Sequence, residues 1–134
     1  MTGLGRAVRD GRLAAAAFGS VLLFKLLIAV VGYRRLTWLF PSGGTLPSDA
    51  LARRITRAVL VASRGIGGAS CLVEACAVRT LLGLKGHSVT MRIGVRDAGG
   101  GVLAAHAWVM AGERVILGTE ADDFHHFRPI ADYR

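Results

Sequence analysis

The chain has 134 residues and a mass of 14.1 kDa, enough to enclose one hydrophobic core and too little for two. Hydrophobic residues make up 52% of it and charged residues 19%, which excludes an intrinsically disordered protein. The formal net charge is +8, and 15 of the 17 cationic residues are arginines, which suits recognition of carboxylates or phosphates. Nucleic acid is a poor candidate partner because the cations are scattered and aromatic residues are only 7% of the chain. We predict one domain over residues 1–134.

A hydrophobic helical region is predicted over about residues 1–40. Residues 13–31 are almost wholly apolar and follow three arginines, but no small-residue cleavage site of a signal peptide comes after them. Lys25 lies near the middle of the run, where a charge costs at least ~2.5 kcal/mol on membrane insertion. We therefore expect a buried or surface-associated helix. Peripheral contact with a membrane, or burial against a partner protein, stays open.

A Pro- and Gly-rich segment over residues 41–49 precedes an amphipathic helix predicted for residues 50–62, with Ser48 or Asp49 as its N-cap. The face expected to be buried carries Leu51, Ile55, Ala58, Val59 and Ala62. The opposite face carries Arg53, Arg54 and Arg57. Two interpretations of that basic face stay open: it is solvated, or it docks an acidic peptide.

A Gly-rich loop over residues 63–70 leads into a helix predicted from Cys71 to Gly83, with Ser70 as its N-cap. The loop lacks the Gly-Lys-Ser/Thr ending of a phosphate-binding loop, so its glycines favour close backbone approach instead. The buried face is expected to hold Leu72, Ala75, Val78 and Leu82, and Gly83 with Gly86 is expected to end the helix.

The two cysteines, Cys71 and Cys76, lie five residues apart in that helix, roughly 140° apart around its axis. They cannot form a disulfide there, and no further cysteine supplies a zinc cluster. Free thiols are typical of a reducing compartment, so we predict a cytoplasmic protein, with membrane association open.

After Gly86 the hydrophobic period changes from helical to two. Strands are predicted over residues 88–96, 102–110 and 113–117, joined by turns at 97–101 and 111–112. The tail from Gly118 is polar, with intermittent anchors at Phe124, Phe127, Ile130 and Tyr133. The predicted fold class is α+β, with N-terminal helices followed by an antiparallel sheet.

Cys71 and His106 are the candidate reactive residues. Cys71 is predicted at a helix N-terminus, where unpaired N–H groups and the helix dipole stabilise a thiolate. His106 lies in a strand among alanines, and a Cys followed by a His elsewhere in the chain is a candidate acyl-transfer pair. The ordinary alternatives are a buried hydrophobic cysteine and a hydrogen-bonded core histidine. Trp108 shares the strand face of His106 and either walls a cleft or packs in the core.

Four local strings follow one another in the chain: Cys71-Leu72-x-x-Ala75-x-Ala77-x-x-x-Leu81-Leu82, then Gly86, then Arg92-Ile93-Gly94-Val95, and then Ala105-His106-Ala107-Trp108-Val109. In this order and spacing they resemble the B2 proteins of lasso peptide biosynthesis, which are transglutaminase-like, papain-type cysteine peptidases. The resemblance covers about residues 51–117, and the N-terminal helices are similar only in hydrophobic character. The length is similar to that of the stand-alone protease form of the family.

The resemblance implies that the protein cleaves the leader from a ribosomally made precursor peptide before a separate cyclase closes the macrolactam ring. Cys71 would be the nucleophile and His106 the general base and acid. A separate leader-recognition protein of the B1 type is implied as a partner, with the cyclase as a further candidate. This chemistry needs no metal and no organic cofactor.

The third catalytic residue departs from the family pattern. Members commonly carry an Asp on the strand after the His, near residues 115–118 of this chain, and none of these residues is acidic. Glu120 is our tentative orienting acid, with Asp122, Asp123 and Glu113 behind it, and a backbone carbonyl is the alternative. For any one of these acids the simpler interpretation is a solvated side chain.

Three other functions stay open. The first is a catalytically inactive peptide-binding scaffold of the same fold, which the missing acid supports and the presence of both Cys71 and His106 opposes. The second is a small membrane-associated interaction protein that depends on the residue 13–31 helix. The third is an acyltransferase that uses the same Cys-His pair, which only product analysis would separate from a hydrolase.

Overall fold

The computed structural model describes residues 3–31, 44–67, 70–118 and 127–133. Three helices come first: α1 (Gly3–Val31), α2 (Asp49–Ile66) and α3 (Cys71–Leu84). Four strands follow: β1 (Thr90–Gly99), β2 (Val102–Ala111), β3 (Arg114–Leu117) and β4 (Arg128–Tyr133). Helices followed by an antiparallel sheet confirm the predicted α+β class.

Helix α1 packs one face against α2 and α3. Ala17, Val21 and Phe24 are buried on this face, as expected for an apolar helix with a core-facing stripe. Phe18, Leu22, Leu23 and Leu26 lie outside the core and are 42–58% exposed. The helix is thus buried on one side and open on the other. Among the described helices, none has both the length and the apolarity needed to cross a bilayer.

Lys25, the charge within the apolar run, has a structural partner. Its Nζ donates a hydrogen bond of 2.8 Å to the carbonyl oxygen of Gly67. Gly67 is the residue that caps the C-terminus of α2. A cation at this position complements the negative end of the dipole of α2, so the lysine has a structural role within the apolar run.

Helix α2 begins where the sequence predicts and ends later. Ser48 is the N-cap, and its hydroxyl accepts a hydrogen bond of 3.2 Å from the amide of Leu51. Ile55, Val59 and Ala62 are buried as expected, and Leu51 and Ala58 are partly buried. The loop predicted over residues 63–70 is wrong for its first four residues, which are helical. The helix continues through Gly65 because Ser63 is still buried against α3, and it stops at Gly67, whose φ is +72°.

Helix α3 has the predicted N-cap, Ser70, and a buried face that includes Ala75, Val78 and Leu82. Gly83 does not end the helix, which continues to Leu84. The chain then turns at Gly86, whose φ of +83° suits a residue without a side chain. Cys71 and Cys76 are both free thiols, as predicted.

The four strands form one antiparallel sheet in the order β3-β2-β1-β4. The three predicted strands are present. Strand β1 begins two residues later than predicted and ends three residues later, because its turn with β2 is only Gly100 and Gly101, and β2 gains Ala111 at its other end. The sequence analysis does not predict strand β4. Its Pro129 is tolerated because β4 is an edge strand.

The hydrophobic anchors of the tail are only partly as predicted. Phe127 is buried and Tyr133 packs partly against the core. Ile130 is wrong as an anchor, since it is 58% exposed on the edge strand. Phe124 lies outside the described residues.

The two faces of the sheet lie in different environments. Met91, Ile93, Ala107 and Val109 belong to the same buried cluster as the helices. Since successive side chains of a strand point to opposite faces, the side chains of His106 and Trp108 leave β2 on the face opposite to that of Ala107 and Val109. The candidate site lies at the point of β2 that the start of α3 reaches, at Ala107 next to His106.

Candidate active site

Cys71 is the first residue of α3. The Ser70 hydroxyl accepts a hydrogen bond of 3.3 Å from the amide of Val73, and the Ser70 carbonyl accepts one of 3.1 Å from Glu74. The amides of Cys71 and Leu72 come before the amides of Val73 and Glu74, and the first residues of a helix have no backbone acceptor within that helix. The half-buried Cys71 thiol thus belongs to the first residue at the positive end of a helix.

The Cys71 thiol also contacts the sheet. The amide of Ala107 donates a hydrogen bond to Cys71 Sγ, with an N···S distance of 3.4 Å. This amide is available because β3 pairs with β2 only from Val109 to Ala111. The helix dipole and the strand amide both favour negative charge on the sulfur.

His106 is the residue immediately before Ala107, so α3 brings the thiol to the backbone of β2 next to the histidine. The ring nitrogen Nε2 of His106 lies 2.8 Å from the carbonyl oxygen of Gly118. A carbonyl only accepts, so Nε2 carries the proton in this hydrogen bond. In the neutral ring the lone pair is then on Nδ1, which is the nitrogen able to take up a proton.

Gly118 occupies a position that has no room for a side chain. Its φ is +104°, and a Cβ there would lie 2.5 Å from Trp108 Cβ and 3.2 Å from the Ala107 carbonyl oxygen. Gly118 follows directly on β3, at the point in the chain where the lasso-type resemblance leads one to expect an acid. A backbone carbonyl holds the imidazole here, which was the alternative to an acidic side chain.

Of the four candidate orienting acids, one lies within the described residues and three lie outside them. Glu113 lies exposed in the turn between β2 and β3, at the far end of β2 from His106. Glu120, Asp122 and Asp123 lie outside the described residues, so the tentative assignment of Glu120 as the orienting acid stays a prediction.

Two aromatic rings hold the His106 imidazole from its sides. Trp108 stacks on it with ring centroids 5.9 Å apart and planes 24° apart, and the Phe127 centroid lies 5.3 Å away. The Trp108 ring lies over Gly94, where a Cβ would be 2.7 Å from Trp108 Cη2. The predicted shared face of His106 and Trp108 is confirmed, and Trp108 itself is buried. The contact with Phe127 was missed, because nothing in the sequence indicates that β4 pairs with β1.

The second cysteine, Cys76, is a core residue. Cys76 Sγ lies 3.8 Å from Met91 Sδ, and burial raises the pKa of the Cys76 thiol to about 12. Arg79, one turn further along α3, is also buried, and this burial lowers the pKa of its guanidinium. Cys76 is therefore a neutral thiol at physiological pH, and Cys71 is the cysteine placed for chemistry.

Comparison with protein families gives a match over nearly the whole chain. The family model described as the transglutaminase-like superfamily matches residues 14–132. The chain therefore belongs to the transglutaminase-like superfamily, in which cysteine proteases and transglutaminases are common. The match reaches beyond residues 51–117 to include most of α1 and nearly all of β4. Searches of curated proteins and of solved structures found no match.

Proposed function

We propose that the protein is a cysteine peptidase that removes the leader from a ribosomally made precursor peptide of the lasso class, before a separate cyclase closes the macrolactam ring. The observation that carries the proposal is the Cys71 thiol at a helix start, hydrogen-bonded to the amide next to His106. Superfamily membership supports a thiol-based acyl transfer. The strings around Cys71 and His106 support the lasso-type substrate. A leader-recognition protein would present the precursor.

The chain's own residues supply each step of the hydrolysis. His106 Nδ1 takes the thiol proton, and Cys71 Sγ attacks the scissile carbonyl carbon. The amides of Cys71 and Leu72 donate to the oxyanion that forms. The C–N bond breaks, the leaving amine receives the proton from His106, and a thioester remains on Cys71. Water deprotonated by His106 then attacks the thioester and releases the acid and the thiol.

The Gly118 carbonyl gives this mechanism its orienting group. It fixes the plane of the imidazole and the proton on Nε2, as a triad carboxylate or amide would. Unlike a carboxylate, it carries no full charge to offset the imidazolium that forms during acylation. The stacked Trp108 and the neighbouring Phe127 also restrict the ring, so its orientation does not depend on a single hydrogen bond.

Mass spectrometry of the cognate precursor tests this function. The precursor is incubated with its leader-recognition protein and with wild type, Cys71→Ala, His106→Ala or Cys76→Ala. We expect cleavage at one bond by wild type and by Cys76→Ala, and at least ~100-fold slower cleavage by the other two. An intact precursor in every sample, with the proteins folded, would favour the inactive scaffold. Cleavage by Cys71→Ala at the wild-type rate would exclude a cysteine mechanism.

Acyl transfer is the second candidate reaction, because transglutaminases share the superfamily and the thioester intermediate. The same mass spectra separate the two. Hydrolysis leaves a free carboxylate on the leader, whereas transfer to an amine leaves a leader heavier by the mass of that amine less water.

A further inference from the structure

A groove of about 1080 Å³ runs along the outer surface between α1 and α2. The two helices lie side by side and run in the same direction, since Asp10 contacts Arg54 near their starts and Lys25 contacts Gly67 near their ends. On α1 the lining extends from Arg6 to Phe18, a rise of about 18 Å at 1.5 Å per residue. The groove therefore has the length of a helix of about three turns.

The lining combines an apolar floor with a basic rim. The floor includes Leu13, Phe18, Val61 and Ala62, and Phe18 and Val61 are 47% and 61% exposed. The rim carries five arginines, Arg6, Arg9, Arg53, Arg54 and Arg57, against a single acid, Asp10. Asp10 pairs with Arg54 at 2.7 Å. Arg6, Arg53 and Arg57 make the groove positive beside exposed apolar surface, an arrangement complementary to an amphipathic segment rich in carboxylates.

The shape of the surface favours a helix over a lipid bilayer. A bilayer takes up the convex apolar face of an amphipathic helix, whereas this surface is concave and lies between two helices. The exposed leucines of α1, Leu22, Leu23 and Leu26, are not among the residues that line it. Arginine is also the cation best suited to hold carboxylates, through its paired N–H donors.

We propose that this groove binds an acidic amphipathic helix of a partner protein, with the apolar side of that helix on Leu13, Phe18 and Val61 and its carboxylates on Arg53, Arg57 and Arg6. The proposal goes beyond the peptidase function and does not depend on it. Neither Cys71 nor His106 lines the groove, and no sheet residue does. The helix bound in the groove would therefore dock the partner protein, and the peptide bond that is cut would lie elsewhere, at Cys71 and His106.

The test is fluorescence anisotropy with a labelled 15-residue synthetic peptide that has Leu at positions spaced three and four residues apart and Glu at most other positions. A peptide with Lys in place of Glu is the control ligand. We expect the acidic peptide to bind, its affinity to fall as salt rises about tenfold, from ~50 to ~500 mM, and the Lys peptide not to bind.

Two charge-matched double variants locate the binding. Arg53→Glu with Arg57→Glu reverses two groove arginines, and Arg12→Glu with Arg64→Glu reverses two exposed arginines on the same helices outside the lining. We expect the groove pair to weaken binding at least ~10-fold and the control pair less than ~3-fold. Val61→Gln, which changes the floor without changing charge, should also weaken binding.

Three results would overturn the proposal: no binding of the acidic peptide by folded protein, equal losses in the two double variants, or binding to phosphatidylglycerol vesicles in preference to the peptide. The readout is binding alone, so an inactive peptidase leaves this inference standing, and an active peptidase does not establish it.

Discussion

The two cysteines differ in environment although they lie on one helix. Cys71 is half-buried at the helix start and accepts a hydrogen bond from Ala107, whereas Cys76 is buried in the core. Burial raises the pKa of Cys76 to about 12, so at pH 8 it stays a thiol, and the thiol form is not a nucleophile.

Iodoacetamide should therefore modify only Cys71 in the folded protein. The measurement is peptide mass spectrometry after a short reaction at pH 8. The unfolded protein in 6 M guanidinium (about twice the concentration that unfolds a typical small domain) should react at both cysteines and serves as the control. Equal labelling of Cys76 in the folded protein would contradict the buried environment.

Gly118 positions His106 through its carbonyl oxygen and also avoids a collision with Trp108. Gly118→Ala should push the carbonyl away from His106 Nε2 and lower kcat about 10- to 100-fold, since small displacements in an active site have effects of this size. The measurement is kcat and KM of precursor cleavage, where we expect kcat to fall and KM to change little, because the ring loses the partner that orients it.

Gly112→Ala is the matched control for this change. Gly112 also has a positive φ, +62°, but its nearest non-neighbouring atom is Leu46 Cδ1, 3.4 Å from the added Cβ. Gly112→Ala should cost roughly 1–2 kcal/mol of stability through backbone strain, and Gly118→Ala should cost more because its Cβ also collides with Trp108. Only Gly118→Ala should lower kcat; an equal kcat in the two variants would mean that the Gly118 carbonyl does not position the ring.

Much of the residue-level site could be predicted from the sequence. Cys71, its N-cap Ser70 and the pair His106 and Trp108 follow from local signals: a capping residue before an apolar run, and the two-residue period of a strand. The Gly118 carbonyl and the Ala107 amide could not be assigned, because backbone groups carry no residue signature. Their roles depend on where β3 stops pairing with β2.

At the scale of elements, α1 and α2 are held together by a hydrogen bond from a charged side chain as well as by packing. Lys25 donates to the Gly67 carbonyl at the end of α2. This contact holds the C-terminal end of α2, three residues before the N-cap of α3.

Lys25→Met should lower the free energy of unfolding by about 1 kcal/mol, because α2 loses a cation at its negative end. Urea denaturation followed by circular dichroism measures the change. Lys25→Arg keeps the charge and should recover at least half of the loss. If Lys25→Met is as stable as wild type, the contact with Gly67 contributes nothing in solution.

The element boundaries that the sequence missed have physical causes. Helix α2 runs past its predicted end because Ser63 donates a hydrogen bond of 2.7 Å to Glu74 of α3, a tertiary contact that no local pattern shows. Strand β4 was missed because it is short and contains Pro129. It is held to β1 by pairing and by the two hydrogen bonds of Arg92 to Asp132, at 2.7 and 2.9 Å.

At the scale of the whole molecule, α1 divides sharply between core and surface. Phe24 is 2% exposed and fits between the other helices, whereas its neighbours Leu23 and Leu26 are 52% and 58% exposed. The apolar run of residues 13–31 looks uniform in the sequence, but one face of α1 packs in the core and the other is exposed. Hydrophobic periodicity alone does not tell the buried residues from the exposed ones.

Phe24→Ala should lower the free energy of unfolding by about 3–5 kcal/mol, because it leaves a cavity in the core. Leu23→Gln with Leu26→Gln should change it by less than about 1 kcal/mol and raise solubility, because an exposed apolar patch is removed. Thermal unfolding and the concentration at which each protein precipitates measure these effects. A large loss of stability in the leucine variant would show that this face of α1 is packed.

The central claim is that Cys71 and His106 act as one nucleophile and base pair, and the rate of Cys71 alkylation at pH 6 tests it without knowledge of the substrate. A base that takes the thiol proton accelerates attack by the sulfur, so we predict that His106→Ala lowers this rate at least ~10-fold, while Gly112→Ala leaves it unchanged. Equal rates in wild type and His106→Ala would contradict the account, because the thiol would then react without the help of the histidine.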